Sequence, residues 1–164
     1  PYDIGLFFHT FVPSWKEGNQ NIDIVFLEVV SLAKNILSRE VLKRQNLIEA
    51  EVILETIYKE TADKRLIILD RYYPSNEFLS NFPEPLFVVY RRDDGKWSAK
   101  GIKNDPNSFV RRKYFPTTWA GKKEEELEKI TGVKDAVLCH NDLFVAVSKT
   151  KEGILKMADI ALNA

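Results

Sequence analysis

The residues of this chain best able to do chemistry are His140, a row of cations at Arg111-Arg112-Lys113, and Trp119. His140 follows the apolar run Ala136-Val137-Leu138-Cys139 at the apex of a predicted hairpin. An imidazole there could contact a phosphate or donate a proton, and the plain alternative is an exposed turn residue. Arg111, Arg112 and Lys113 adjoin in sequence, and Arg91 and Arg92 end a predicted neighbouring strand. Guanidinium forks match phosphate oxygens, although a run of charges also reads as a solvated face. Trp119, two residues before Gly121, could stack on a base or serve as a core or lid residue. Cys139 has no base beside it in sequence, and its apolar strand predicts a buried, inert thiol. Glu124-Glu125-Glu126 reads as a solvated helix face, with Glu125 and Lys129 at supportive i,i+4 spacing. No phosphate-binding P-loop, Rossmann glycine fingerprint, nucleophile elbow or zinc-protease helix occurs. On residue chemistry the chain lacks a self-sufficient catalytic centre.

The elements that must position these residues follow from periodicity. Residues 1 to 20 contain Gly5, Pro13 and Gly18 among the aromatics Tyr2, Phe7, Phe8, Phe11 and Trp15, and read as irregular structure or a short strand. From Asn21 to Lys59 there is no Gly or Pro, and apolar residues recur at helical spacing. The stripe lapses through Lys43-Arg44-Gln45-Asn46, which predicts two helices or one kinked helix. One straight helix would span about 58 Å, long for a compact domain of this size. Leu66 to Leu69 and Leu86 to Tyr90 read as strands, and Pro74, Pro83 and Pro85 bracket about one helical turn between them. Asp93-Asp94-Gly95 then turns the chain into an alternating strand over Lys96 to Lys103. A surface loop is expected from Asn104 to Gly121, and a short helix from Lys122 to Thr131 that stops at Gly132. Strands at Ala136 to Cys139 and Leu143 to Ser148 flank an Asn141-Asp142 turn, and Thr150 caps a last helix with Glu152 in its first turn. The expected fold is α+β: a mixed or mostly antiparallel sheet with helices packed on one face. Its expected organisation is an irregular segment at 1–20, then one domain over 21–164, made of a helical connector (21–61) and a sheet-containing part (62–164).

Composition sets outer bounds. The chain has 164 residues, with 24 basic and 24 acidic side chains, 45% hydrophobic and 29% charged. That is enough to bury a core without disulfides or metal and argues against general disorder. One cysteine excludes an internal disulfide and a Cys-based zinc cluster, and two histidines argue against a His-rich metal centre. Zero formal charge gives no global attraction to nucleic acid, so any such binding needs a local patch. No apolar run approaches a membrane span, and the Gly5 to Val12 run, interrupted by His9 and Thr10, lacks the basic leader of a signal peptide. These features predict an intracellular, cytoplasmic domain without a membrane partner. The start at Pro1 reads as a fragment or processed product.

The stretch from Ser108 onward adds a family signal. Ser108-Phe109, Arg112, Pro116, Trp119, Gly121, Glu125, Leu127 and Thr131-Gly132 occur in order, then Cys139-His140, Phe144, Lys149-Thr150 and Met157-Ala158. This pattern resembles the C-terminal part of the MYG1 family, also called UPF0160. A looser match extends upstream through Pro13-x-Trp15 and the Leu86 to Trp97 hairpin. Members of that family are similar to DHH-type phosphoesterases, and some are described as 3′→5′ RNA exonucleases. The resemblance implies a metal-dependent hydrolase whose N-terminal domain holds two divalent metals, Mn or Mg, and whose second domain closes over the substrate. This chain would be that substrate-side half, without cofactor of its own, inactive alone, partnered by its own N-terminal catalytic domain and by a nucleotide or short RNA. The resemblance carries His140, Arg112, Trp119 and Lys149 onto family positions, and with Arg111 from the cation row they make the expected substrate- and phosphate-binding set.

One departure stands out. The family's phenylalanine is followed by two glycines, whereas Phe144 is followed by Val145, with Ala146 and Val147 in the glycine positions. Glycines let backbone amides approach a phosphate, and a β-branched valine hinders that. The turn residue Asp142 also adds negative charge. The alternative function is a non-catalytic binding or oligomerisation module, including a homodimer, in which Asn21 to Lys59 packs on a partner and His140 is incidental.

Overall fold

The computed structural model describes residues 3–18 and 21–164. Tyr2, one of the expected packed aromatics, lies outside the described residues. The chain divides into two compact units, Pro1–Ile48 and Glu49–Ala164.

In the first unit, helix α1 spans Ile4–His9, where irregular structure or a strand was expected. Asp3 decides the difference, because its carboxylate accepts the Leu6 N–H at 2.8 Å and so satisfies one of the free amides of the first turn. Phe7 and Phe11 then meet edge-on, 5.7 Å apart, across the turn that ends the helix. Helix α2 runs unbroken over Ile22–Glu60 and contributes to both units. Of the two alternatives, two helices or one long helix with a kink, the two-helix one is corrected. Lys43, Arg44 and Gln45 are good helix formers, and Glu40 pairs with Lys43 at 2.5 Å, so the lapse changes which face is apolar without breaking the backbone. The length objection falls because the helix is shared between two units.

The second unit is built on a five-stranded mixed sheet. Strands β1 (Leu66–Ile68), β2 (Phe87–Arg91), β3 (Trp97–Gly101), β4 (Ala136–Cys139) and β5 (Val145–Ser148) lie in the order β1-β2-β3-β5-β4. Only β1 and β2 are parallel, and the short helix α3 (Ser75–Ser80) lies in their crossover. The other pairs are antiparallel, as the two expected hairpins require. Helices α4 (Glu124–Thr131) and α5 (Lys151–Asn163) complete the unit, and Thr150 Oγ1 accepts the Gly153 N–H at 3.0 Å as the α5 N-cap.

Strand alternation divides the core. Phe87 and Val89 pair opposite Gly101 and Ala99, and pack with Ala146 beneath Ile154, Met157 and Ala158 of α5. Val88 and Ile67 point the other way and pack with Leu54 of α2 and Leu79 of α3. The sheet and its principal cover, α5, agree with the expected α+β architecture, and β1–β2 gain a second cover from the end of α2. Full burial of Leu54 contributes on the order of 2 kcal/mol. Among the described residues, no helix is long and apolar enough to cross a membrane.

Candidate functional site

The β4–β5 turn presents His140 as the sequence suggests. The His140 N–H donates to Val145 O at 2.9 Å, and the Leu143 N–H donates to His140 O at 2.9 Å, which closes the turn. Leu143 adopts φ 58, a left-handed conformation rare for a bulky side chain. Phe115 holds it there by donating its N–H to Leu143 O at 2.9 Å. The imidazole is exposed, and its Nδ1 accepts the Asp142 N–H at 3.0 Å. The neutral ring therefore carries its proton on Nε2, free to donate outward. Asp142 Oδ2 lies 3.7 Å from Nδ1, a pair that is charged only when the ring is protonated.

The His140 ring packs on Phe144, with centroids 4.4 Å apart. The Arg111 guanidinium lies over the same Phe144 ring at 5.3 Å. Two residues about 30 apart in sequence thus share one aromatic support. Arg111 reaches it because the chain beyond β3 doubles back: Lys103 bridges Arg111 in antiparallel fashion, and the Arg112 N–H donates to Ile102 O at 2.9 Å. Gly101 permits the close crossing, since a Cβ there would lie 2.7 Å from Lys113 O.

Charge is concentrated at this end of the sheet. Burial lowers the pKa of Arg111 from its ordinary value. Its Nη1 donates to Gly101 O at 3.2 Å, while its Nε is buried with no hydrogen-bond partner among the described residues. Burial also lowers the pKa of Lys100, and the positive charges of Arg111 and Lys103 lower it further. Lys100, Lys103 and Arg111 make no ion pair among the described residues. An incoming anion would relieve their mutual repulsion, and three cations plus a ring N–H suit phosphate oxygens.

The other expected ligands go elsewhere. Arg112 is directed at main chain: its guanidinium donates to Phe82 O, to Pro85 O at 3.2 Å and to Ser80 O at 2.6 Å, so it ties off the end of α3. Trp119 is corrected from a base platform to a core residue. It is 2% exposed and stacks on Phe115 at 5.8 Å, leaving no face for a base. Lys149 follows β5 at the far end of the hairpin, about 13 Å of strand away from the turn, and its N–H donates to Asp135 O. Arg91 and Arg92 are also at that far end and line an open depression with Asp70, Arg71 and Asp93. Lys113 donates its ammonium to Leu162 O at 3.0 Å. Cys139 behaves as expected: burial pushes its thiol up to about 12, where it is an inert core group.

Lys100 and Phe144 were missed as site residues. Lys100 sits in an alternating strand, where a polar position reads as solvent-facing, and only the register shows it half-buried beside Arg111. The valine–glycine departure acquires a physical meaning here. Ala146 is fully buried and Val147 is 3% exposed, and β5 is an interior strand paired on both edges. Their backbone amides sit within the ladder, so an anion near this turn would rely on side chains.

The family model of UPF0160, carrying the MYG1 exonuclease name and described as an uncharacterised protein family, matches residues 3–162. The chain belongs to the MYG1 family. It is 25% identical to a MYG1 protein of Schizosaccharomyces pombe over 94% of this chain and 51% of that protein. It is 31% identical to a MYG1 protein of Dictyostelium discoideum over 69% of this chain and 36% of that protein. The MYG1 exonuclease of Mus musculus is 23% identical over 92% of this chain and 43% of that protein. The chain spans about half or less of the length of these MYG1 relatives and matches their C-terminal part. No solved structure matches.

Proposed function

We propose that this chain is the substrate-side domain of a metal-dependent phosphoesterase of the 3′→5′ exonuclease type, and that it holds a phosphodiester against His140, Arg111 and Lys100. The observation that carries this reading is the crowding of Lys100, Lys103 and Arg111, without ion-pair partners among the described residues, with Arg111 and His140 both packed on the Phe144 ring. Such a cluster is costly to fold unless an anion uses it. The exonuclease name of relatives supplies the reaction class for the whole polypeptide. Among the described residues no group of three or more His, Cys, Asp or Glu could hold a metal ion. In this reading the two divalent metals would be held by residues of the protein outside this chain. The contribution of this chain is binding and orientation, which can supply a large share of a hydrolytic rate enhancement.

The test is an assay of short RNA with Mn²⁺, using this chain alone and the full-length protein. The chain alone should give no turnover, and in the full-length protein His140→Ala and Arg111→Ala should raise KM for RNA. Robust turnover by the chain alone would show that it holds the reaction centre itself.

A second reading is favoured by α2, on which Ile24, Phe26, Leu27 and Leu37 are between 57% and 65% exposed. Exposed apolar residues of that density suit an assembly surface. Sedimentation of the chain, with Phe26→Glu as control, distinguishes a helix-mediated oligomer from a monomer.

A further inference from the structure

Beyond Arg111 the doubled-back ribbon carries an aromatic side chain that neither the core nor the phosphate cluster uses. Phe109 is 89% exposed, an unusual placement for a phenylalanine, which leaves its apolar ring in water. It is not isolated. Lys103 Nζ lies 5.5 Å from the Phe109 ring centroid, and Lys103 is also the bridge partner of Arg111. Phe109 and Arg111 are thus both tied to Lys103, one through its ring and the other through the β-bridge. The loop at its tip is ordered by Asp105, whose carboxylate accepts the Asn107 N–H at 2.8 Å, and by Ser108 Oγ, which accepts the Val110 N–H at 3.0 Å. The surface therefore alternates: cationic Lys103 against Phe109, then cationic Arg111 against Phe144, then His140.

Alternation of exposed aromatic faces with cations is the physical signature of single-strand nucleic-acid binding, because the bases stack while the charges follow the backbone. We propose that Phe109 is a base-stacking residue for single-stranded nucleic acid whose phosphates lie on Lys103 and Arg111. This deepens the reading of the Arg111–His140 cluster as a phosphodiester site and rests on it. It gives the role first expected of Trp119 to a residue that is accessible. A stacking face is indifferent to base identity, so the recognition would be largely independent of sequence.

The experiment is fluorescence anisotropy of this chain at low ionic strength with labelled oligouridine, and with the same oligomer carrying abasic sites. Phe109→Ala should weaken binding of the intact oligomer roughly tenfold and binding of the abasic oligomer less than about twofold. Phe109→Trp should preserve affinity and add a tryptophan signal that the oligomer quenches and inorganic phosphate does not. Equal affinity of Phe109→Ala and the unmutated chain overturns the proposal, and so does an equal loss on both oligomers. Failure of the unmutated chain to bind either oligomer overturns it too. Arg111→Ala separates the two readings: if it leaves binding unchanged, the phosphodiester site fails, whereas an Arg111 effect without a Phe109 effect removes only the stacking role.

Discussion

At the end of the sheet where β2 finishes in Arg91 and β5 in Ser148, cations and acids are closely mixed. Arg92 and Lys96 share Asp94 at 3.2 Å and 3.4 Å, and Arg71 lies 3.7 Å from Asp70. Asp135 accepts hydrogen bonds there from the Thr150 N–H at 3.1 Å and from the Thr150 hydroxyl. At the opposite end, Lys100, Lys103 and Arg111 repel one another, and the nearest acid to His140 is its own turn residue Asp142. The two ends use similar residue types. What separates them is whether the countercharge is built into the fold. An end that satisfies its own charges contributes to stability. An end that leaves cations unmatched sacrifices some stability and gains affinity for an anion.

Breaking the contrast at the unmatched end should have the largest effect. Arg111→Ala is expected to weaken oligonucleotide binding ten- to hundredfold, about 1.4 to 2.7 kcal/mol, while Arg92→Ala changes it less than about twofold. Titration by anisotropy at fixed salt checks both variants. Arg112→Ala should cost about 2 kcal/mol in urea unfolding through the loss of its bonds to three carbonyls, which separates two adjacent arginines into a ligand residue and a structural one.

At the matched end, Asp135→Asn should cost about 1 kcal/mol, with a defined dependence on pH. Burial acts to raise this carboxyl, but hydrogen bonds from Thr150 and Ser148 outweigh it and leave the pKa below its ordinary value. A carboxyl depressed in the folded state contributes stability that is full above its unfolded value, about 4, and is lost as pH falls through the lower folded value. Unfolding curves below pH 4 should therefore be flatter for Asp135→Asn than for the unmutated chain. The smallest expected effect is a gain. Lys100→Met should stabilise the fold by roughly 0.5 kcal/mol, because it removes a half-buried charge repelled by Arg111, and should weaken oligonucleotide binding. A loss of stability together with unchanged binding would remove Lys100 from the site.

The family, the two hairpins, the Thr150 cap and the inert Cys139 were legible in the sequence, because each depends on local periodicity, a short turn or a fixed spacing. The exposed position of His140 was legible for the same reason: it follows four apolar strand residues and precedes a turn. Whether α2 is one helix or two stayed open in the sequence, since a lapse in the apolar stripe says which face is covered and nothing about whether the backbone breaks. The fates of Arg111, Arg112 and Trp119 were decided by tertiary structure alone. Adjacent arginines on an extended segment point to opposite sides, so one lies on Phe144 and the other reaches the carbonyls at the end of α3. Trp119 enters the core because Phe115 and Leu127 bury there with it. Lys100 gains its significance only when the β2–β3–β5 register and the ribbon beyond β3 bring Arg111 and Lys103 close to it. Sequence alone determined that any anion binding must be local, since the formal charges cancel at zero. Only the folded sheet decided which end would hold the unmatched charge, because burial and neighbouring charge set its energy, and both are properties of the assembled structure.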